Sequence, residues 1–389
     1  MEHKAYDYII IGGGLSGLQL AYHILEERAL RDRRVLLIER DRKNKNDRTW
    51  SFWSRPDRYT PPMEHAVWDR YIVAYGDEVV EQTFAPYRYY SIQSSAFYRH
   101  VHQAIDESNQ ITYLQDEVYR LEQHKGIVHL ASGQKVKGSI LFNGAYHIDE
   151  IEQKEEYTWL WQHFKGWVVK TERPIFQPDV AHIMDFRTEQ YGEVRFFYTL
   201  PRTPHVALIE YTVFGKEILD DASYDNALKK HMHDLLQGED YEILEVEKGA
   251  IPMTDYPFMK DTVGKEVPIG TRGGFVKAST GYAFSRTLSR TRWLVDALKK
   301  DPMTPPDISC ASNSYRFKIY DSIFLDVMAR DRHPMDKIFF NLYKLNPHYL
   351  VFKFLDEETS FLEELKIMNA CPFDFYKSFF TRMNTVHKL

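Results

Sequence analysis

Two groups of residues in this chain have the types and spacing to do chemistry. The first centres on Glu210, set in the apolar run Ala207-Leu208-Ile209-Glu210-Tyr211-Thr212-Val213-Phe214. Burying an ionised carboxylate in such a strand is costly, so the group should be paired, protonated or at work on a substrate. Successive side chains of a strand alternate between faces, which puts Val206, Leu208, Glu210, Thr212 and Phe214 on one side. Apolar neighbours on that face would raise the carboxyl pKa and keep a proton available near neutral pH. The plainer alternative is an ion pair with Arg195 on a neighbouring strand. Aromatic residues crowd the same region: Phe196, Tyr198, Tyr211, Phe214, Trp159, Trp161 and Trp167. They could pack a core, or line a dry pocket whose ring faces stabilise a cation by about 0.5 to 2 kcal/mol each.

The second group is the turn Gly12-Gly13-Gly14-Leu15-Ser16-Gly17, between an apolar stretch and a helical pattern. A lone GxGxxG is a weak signal; between a strand and a helix, with Glu39 ending the next strand, it is a strong one. Gly12 permits the tight turn, Gly14 lets backbone approach a pyrophosphate, and Gly17 allows close helix packing. The amides of Leu15 and Ser16, at the helix N-terminus, face the phosphates, and Glu39 would bond ribose hydroxyls. An acid at that strand end disfavours a 2′-phosphate, leaving FAD or NAD over NADP. A second glycine cluster, 270–274, leads through Ser279-Thr280-Gly281-Tyr282 to another helix, and tips the choice to FAD. Arg48 and Thr49 complete the cofactor candidates: Arg48 could reach a flavin or phosphate, or stand as a solvated loop charge.

These sites need elements to hold them. Residues 1–40 read as a parallel βαβ unit, with strands at Tyr6–Ile11 and Arg34–Glu39. A hairpin is expected around Gly76, a helix from Ser94 to Glu107, and a strand running into a glycine turn at residues 140–145. Between Gly166 and Phe214, strand patterns separated by Pro and Gly describe an antiparallel meander. Residues 223–238 and 285–300 are helical, as is most of the chain beyond about 315. The expected fold is α/β: a three-layer FAD-binding Rossmann-type domain, an antiparallel-sheet substrate domain and a helical C-terminal region. The expected boundaries are 1–65, 91–150 and 245–300 for the first, 66–90 and 151–244 for the second, and 301–389 for the third.

The 389 residues, 43% hydrophobic and 27% charged, have a globular composition. The net charge of -6 argues against nucleic acid as a partner. The two cysteines, Cys310 and Cys371, offer no disulfide framework and no metal-ligand spacing, and a reducing, cytoplasmic setting fits. No run reaches the roughly 18 to 20 apolar residues that span a bilayer, and the N-terminus lacks a secretory pattern. The terminal segment 375–389 mixes basic and apolar residues without an acid, which suits either an interfacial helix on anionic lipid or a helix on the protein's own core.

Several motifs together resemble one family. They are the YDYIIIGGGLSGL opening, Asp47-Arg48-Thr49-Trp50-Ser51-Phe52-Trp53, Leu208-Ile209-Glu210-Tyr211-Thr212, Gly249-Ala250-Ile251-Pro252-Met253-Thr254 and Ser279-Thr280-Gly281-Tyr282. In that order they resemble the bacterial lycopene β-cyclases. The resemblance implies a non-redox isomerase requiring reduced FAD, with NAD(P)H as electron source. Each end of lycopene would be protonated, closed through a carbocation and deprotonated to a β-ionone ring, giving γ-carotene and then β-carotene. It implies Glu210 as the acid or base beside the flavin. It further implies docking on the inner membrane surface, and other carotenoid-pathway enzymes as partners. Many family members carry a second acid directly after that glutamate; Tyr211 stands there here, which argues against a two-carboxylate mechanism and concentrates the proton chemistry on Glu210 and the flavin. Phe354-Leu355-Asp356-Glu357-Glu358-Thr359 resembles an acidic cyclase motif, but its helical neighbours suggest a capping and surface segment.

Other functions fit the same turn. A flavin monooxygenase or reductase is one, although residues 270–274 lack the Gly-Asp pair usual in hydroxylases. A flavin halogenase is disfavoured because His163-Phe164 replaces the Ile-Pro that should follow Trp159-Leu160-Trp161. A carotenoid- or lipid-binding module retaining FAD as structure is the third.

Overall fold

The computed structural model describes residues 4–145, 156–258, 262–311, 315–330 and 334–371. The segment 375–389, expected to be an interfacial or terminal helix, lies outside the described residues.

The opening strand β1 (Lys4–Ile11) pairs in parallel with β2 (Val35–Glu39), and α1 (Leu15–Glu26) crosses between them. This is the expected βαβ unit. The other neighbour of β1 is a parallel strand, β11 (Lys135–Asn143), while β2 continues to β8 (Ile111–Gln115). The sheet order is β8-β2-β1-β11-β10-β9, with β9 at Val118–Glu122, β10 at Ile127–Leu130, and β17 (Glu266–Pro268) added along β11. Both faces are covered, so its strands are almost continuously apolar. Tyr8 and Ile10 pack on the side of α1, α2 (Ser94–Asp106) and α4 (Phe284–Lys300), whereas Ile9 and Ile11 pack against Val128 and Leu130.

A second seven-stranded sheet is ordered β16-β12-β15-β14-β13-β5-β6. The expected antiparallel meander holds in it only in part: the last three meander strands follow one another, but β12 pairs with β15 and β13 pairs in parallel with β5. Its strands are β5 (Arg70–Tyr75), β6 (Glu78–Thr83), β12 (Trp159–Thr171), β13 (Val180–Asp185), β14 (Val194–Thr203), β15 (Val206–Gly215) and β16 (Tyr241–Thr254). The hairpin β5–β6 turns at Gly76, whose φ of +55° favours glycine. β16 stays in this sheet to Thr254, past the expected boundary at 244, because its full length pairs with β12. A three-stranded sheet of β3 (Thr49–Ser54), β7 (Arg88–Gln93) and β4 (Ala66–Trp68) adjoins the two large ones.

Alternation along β15 divides the second sheet. Ile209, Tyr211 and Val213 pack on α3 (Asp221–Leu236), with Tyr224 and Leu228. Leu208 and Phe214 face the other way, into a core shared with the C-terminal helices α5 (Tyr315–Ala329), α6 (Met335–Leu345) and α7 (His348–Leu355). A last helix, α8 (Phe361–Met368), starts with a capping box between Ser360 and Glu363. Among the described residues no helix is long and apolar enough to cross a membrane.

Candidate active site

A cavity of about 440 Å³ lies between the glycine turn after β1 and the inner face of the second sheet. It reaches from Gly12, Gly14, Leu15, Ser16 and Gly17 at one end to Glu210, Thr212 and Phe214 at the other. The chain thus brings its two sequence-distant chemical groups to one space.

The glycines of the turn do different work. Gly12 has φ +98°, open to glycine at little cost. A Cβ on Gly17 would sit 1.9 Å from the Gly12 carbonyl oxygen, so a side chain there would force helix and turn apart. Gly14 has nothing within 4 Å of its missing Cβ, which leaves its backbone open to the cavity. Glu39 is buried behind the turn rather than on the cavity wall; it accepts hydrogen bonds from the Gly13 amide at 2.5 Å and the Asp41 amide at 2.9 Å. Gly270 and Thr271 line the cavity beside the turn, a Cβ on Gly270 lying 3.2 Å from Ser16 Oγ, and Thr280, Gly281 and Tyr282 follow before α4. Gly281 has φ +71°, and a Cβ there would meet Gln162 Oε1 at 2.0 Å.

Two buried polar atoms of cavity-lining residues, Gln162 Oε1 and Thr280 Oγ1, have no hydrogen-bond partner among the described residues. Buried polar atoms are rarely left unpaired. Together with the open backbone at Gly14 and the helix N-terminus behind it, they fit an extended dinucleotide laid from the turn towards Gly281. Arg48 lines this cavity, its backbone amide held by Ser94 Oγ at 3.1 Å. Thr49 lines it too, but its hydroxyl donates to Glu247 Oε2 at 2.6 Å.

Glu210 sits where the strand alternation places it, facing the cavity from the middle of β15. Arg195 does not pair with it. That guanidinium bonds Glu193 at 2.5 Å and the Tyr211 hydroxyl at 3.3 Å, on the opposite face of the sheet. Glu210 Oε1 accepts instead from the Thr212 hydroxyl at 2.6 Å. Burial raises its pKa well above the ordinary carboxyl range, and the negative charge of Glu247 raises it further. Glu247 is also raised by burial, while the Thr49 hydroxyl and Arg202 draw it back.

Glu247 is the residue sequence reasoning missed: it sets a second carboxyl beside Glu210. The position after Glu210 does hold Tyr211, which points away to α3. A second carboxyl arrives from β16, two strands over. Register explains how: Gly166 of β12 pairs with Glu210 on one side and Glu247 on the other. A Cβ on Gly166 would lie 3.2 Å from Glu247 Cγ and 3.4 Å from Glu210 Cβ, so the glycine opens the space in which the two side chains meet. The available sequence signal was position: Glu247 stands two residues before the Gly249-Ala250-Ile251-Pro252 motif.

Tyr198 pairs with Glu210 from β14 and continues the polar row, its hydroxyl bonded to that of Tyr89. Burial holds the Tyr89 and Tyr198 phenols protonated and pushes Tyr282 up to about 12. Of the aromatic cluster, Phe196, Tyr198 and Phe214 line the cavity. Tyr211 and Trp167 pack with α3 instead, and Trp159 and Trp161 stack edge to face at 5.5 Å outside the lining.

The acidic segment after α7 is a surface feature only at Glu358, which is exposed beside Arg58. Glu357 is buried between Lys277 at 2.9 Å and Arg286, and Asp356 is pushed by burial to about 7. The capping part of that expectation holds at Asp356, which caps the end of α7, and the surface part at Glu358. The helical pattern concealed the burial because Glu357, at φ +63°, turns the chain inward after the helix has ended.

A family model described as "Lycopene cyclase protein" matches residues 7–380. The lycopene beta-cyclase of Pseudescherichia vulneris is 28% identical over 310 residues, 76% of this chain and 74% of that protein. The chloroplastic neoxanthin synthase of Solanum tuberosum is 23% identical over 98% of this chain and 80% of its own length. Among solved structures, a geranylgeranyl bacteriochlorophyll reductase-like protein from Thermoplasma acidophilum has a TM-score of 0.58 at 10% identity, covering 99% of this chain and 100% of its own. A p-nitrophenol 4-monooxygenase from Pseudomonas putida has a TM-score of 0.55 at 11% identity, covering 99% of both chains. These structural likenesses establish the Rossmann-type fold of the flavin monooxygenase kind. With its motifs in order and the model matched almost end to end, the chain belongs to the lycopene cyclase family.

Proposed function

We propose that this protein is a lycopene β-cyclase that closes the linear ends of lycopene to β-ionone rings without net redox change. The observation that carries the reading is a carboxyl, Glu210, facing an aromatic-walled cavity that opens directly onto a dinucleotide cradle, with burial raising its pKa. FAD is the group that cradle would hold, through the 12–17 turn, Arg48, Thr280 and Gly281, with Glu39 positioning the turn or the ribose. When bound in reduced form, it supplies an electron-rich ring system able to stabilise positive charge. NAD(P)H is the proposed source of its electrons.

The chain's own residues do the rest. Glu210 holds a proton at neutral pH because burial and its neighbours disfavour the charged form. It can deliver that proton to the terminal alkene of the substrate. The resulting tertiary cation is attacked by the next double bond, and loss of a proton from the new ring restores neutrality. Phe196, Phe214 and Tyr198 exclude water that would capture the cation, and offer ring faces worth about 0.5 to 2 kcal/mol each. The monooxygenase reading rests on fold likeness alone and gains no observation at the site.

The test uses purified protein, lycopene in liposomes, anaerobic reductant and heavy water. The expected product is β-carotene carrying deuterium in its rings. Lycopene returned unchanged, or an oxygen-dependent product with stoichiometric loss of reductant, would overturn the reading.

Lycopene dissolves in lipid, so the enzyme must meet a bilayer surface. Phe361, Leu362 and Leu365 of α8, with Leu345 and Tyr349 nearby in the helical region, are exposed apolar side chains suited to that contact. Replacing Phe361 and Leu362 together by Asp should reduce co-sedimentation with anionic liposomes several-fold while the thermal transition is retained. Undiminished binding would move the membrane contact elsewhere.

A further inference from the structure

The row Glu247–Gly166–Glu210–Tyr198 crosses four adjacent strands at one level of the sheet. The two acids, distant in the chain, are brought to one place by strand pairing. In a sheet, residues on next-but-one strands stand roughly 9 to 10 Å apart at the backbone, from two inter-strand spacings of about 4.8 Å. Two glutamates can close that gap only if the intervening residue has no side chain, and the intervening residue is Gly166. Both carboxyls line the cavity, on either side of Gly166, and the charge of Glu247 raises the pKa of Glu210.

Each is also held by its own hydroxyl donor. Thr212 donates to Glu210, and Thr49 donates to Glu247, both at 2.6 Å. Those bonds fix one oxygen of each carboxyl and leave the others for the shared contact and the cavity. The charged and titratable groups facing Glu247 are Arg202 and Glu245, with Arg48 reaching the edge of β16 beside Gly249. Those facing Glu210 are Glu247, Tyr198 and Tyr282. No cation is in ion-pair contact with either carboxyl among the described residues, so two full negative charges would stand adjacent and half-buried. Like-charged carboxyls in this position retain one proton between them and titrate as a pair.

We propose that Glu210 and Glu247 act as one proton-carrying dyad across Gly166, one carboxyl delivering the proton that starts each ring closure and the other receiving the proton that ends it. The inference rests on the cyclase reading and adds its second acid–base group. Its balance is complete. A carboxyl O–H bond breaks and a C–H bond forms at the terminal alkene; a ring C–C bond forms; a ring C–H bond breaks and its proton returns to the carboxylate partner. The dyad ends each closure with the single proton count it began with, and exchange of that proton with water between closures supplies the deuterium expected in both rings. Exchange of the shared proton between the oxygens resets the pair.

The experiment has two arms. The first needs no turnover: the infrared band of a protonated carboxyl is followed against pH in the flavin-bound protein. Wild type should keep that band through neutral pH, and Glu247→Gln should lower the pH at which it disappears by about one unit or more, because the repelling charge is gone. An unmoved midpoint overturns the dyad. The second arm follows cyclisation of lycopene in liposomes. Wild type should show a bell-shaped pH–rate profile; Glu247→Gln should lower kcat about a hundred-fold or more and lose the acidic limb, and Glu247→Asp should restore part of the rate. Gly166→Ala, which inserts a methyl between the two side chains, should lower kcat with flavin content and thermal transition kept. Full activity and an unchanged profile in Glu247→Gln would remove Glu247 from the chemistry while leaving the cyclase reading intact. A wild type that keeps the shared proton but forms no ring would instead overturn the cyclase reading and confine the dyad to proton storage.

Discussion

Glu210→Gln is expected to lower cyclisation by about a hundred- to ten-thousand-fold, the range usual for removing a general acid, with the yellow flavin still bound. The amide keeps the size of the side chain and the bond from Thr212, so the cavity should keep its shape. What it loses is the transferable proton. The same variant should change stability with a sign opposite to activity. Glu210 is held protonated in the fold at pH values where an unfolded chain's glutamates, near 4.5, are ionised. A raised folded pKa means that the native state binds more protons than the unfolded one, so stability falls as pH climbs from about 4.5 towards about 8. Gln does not titrate. Its melting temperature should therefore gain on wild type as pH rises through that window, and differential scanning at pH about 5 and about 8 reads the crossover. Activity retained in Glu210→Gln would take this residue out of the mechanism.

Gly17→Ala should cost the protein its flavin. A methyl there would stand 1.9 Å from the Gly12 carbonyl oxygen and 3.2 Å from Ile10 Cγ2, so α1 must back away from the turn. Overpacking of this kind costs about 1 to 3 kcal/mol, and it falls on the segment that shapes the phosphate cradle. The expected result is a folded protein with a lowered melting temperature and little flavin absorbance after gel filtration. Added FAD at high concentration should restore part of both. Gly14→Ala provides the contrast: its Cβ meets no protein atom within 4 Å, so it should weaken flavin binding with a much smaller loss of stability. Equal flavin content in Gly17→Ala and wild type would show that the nucleotide lies elsewhere.

Much of this was written locally along the chain. The βαβ unit, the hairpin at Gly76, the last three strands of the meander and the helices at 221–236 and 284–300 follow from periodicity and punctuation that neighbouring residues supply. So does the direction of Glu210, because strand alternation fixes which face a residue takes once the strand is assigned. The glycine turn was legible for the same reason: each glycine answers a steric demand within a few residues.

The partners of those groups were not local. Arg195 looked like a counter-ion for Glu210, yet register puts it opposite Val213 and turns it to the other face. Nothing local marks Glu247 as a neighbour of Glu210, and the acidic run at 356–358 reads as part of a capping and surface segment. Their surroundings come from segments tens to hundreds of residues away: Thr49 at Glu247, Lys277 and Arg286 at Glu357. By itself the sequence determined a dinucleotide turn, an acid in an apolar strand and the family to which both belong. Tertiary structure alone decided that this acid has a second carboxyl for a neighbour, since strand order and the gap at Gly166, unlike periodicity, exist only once the sheet has assembled.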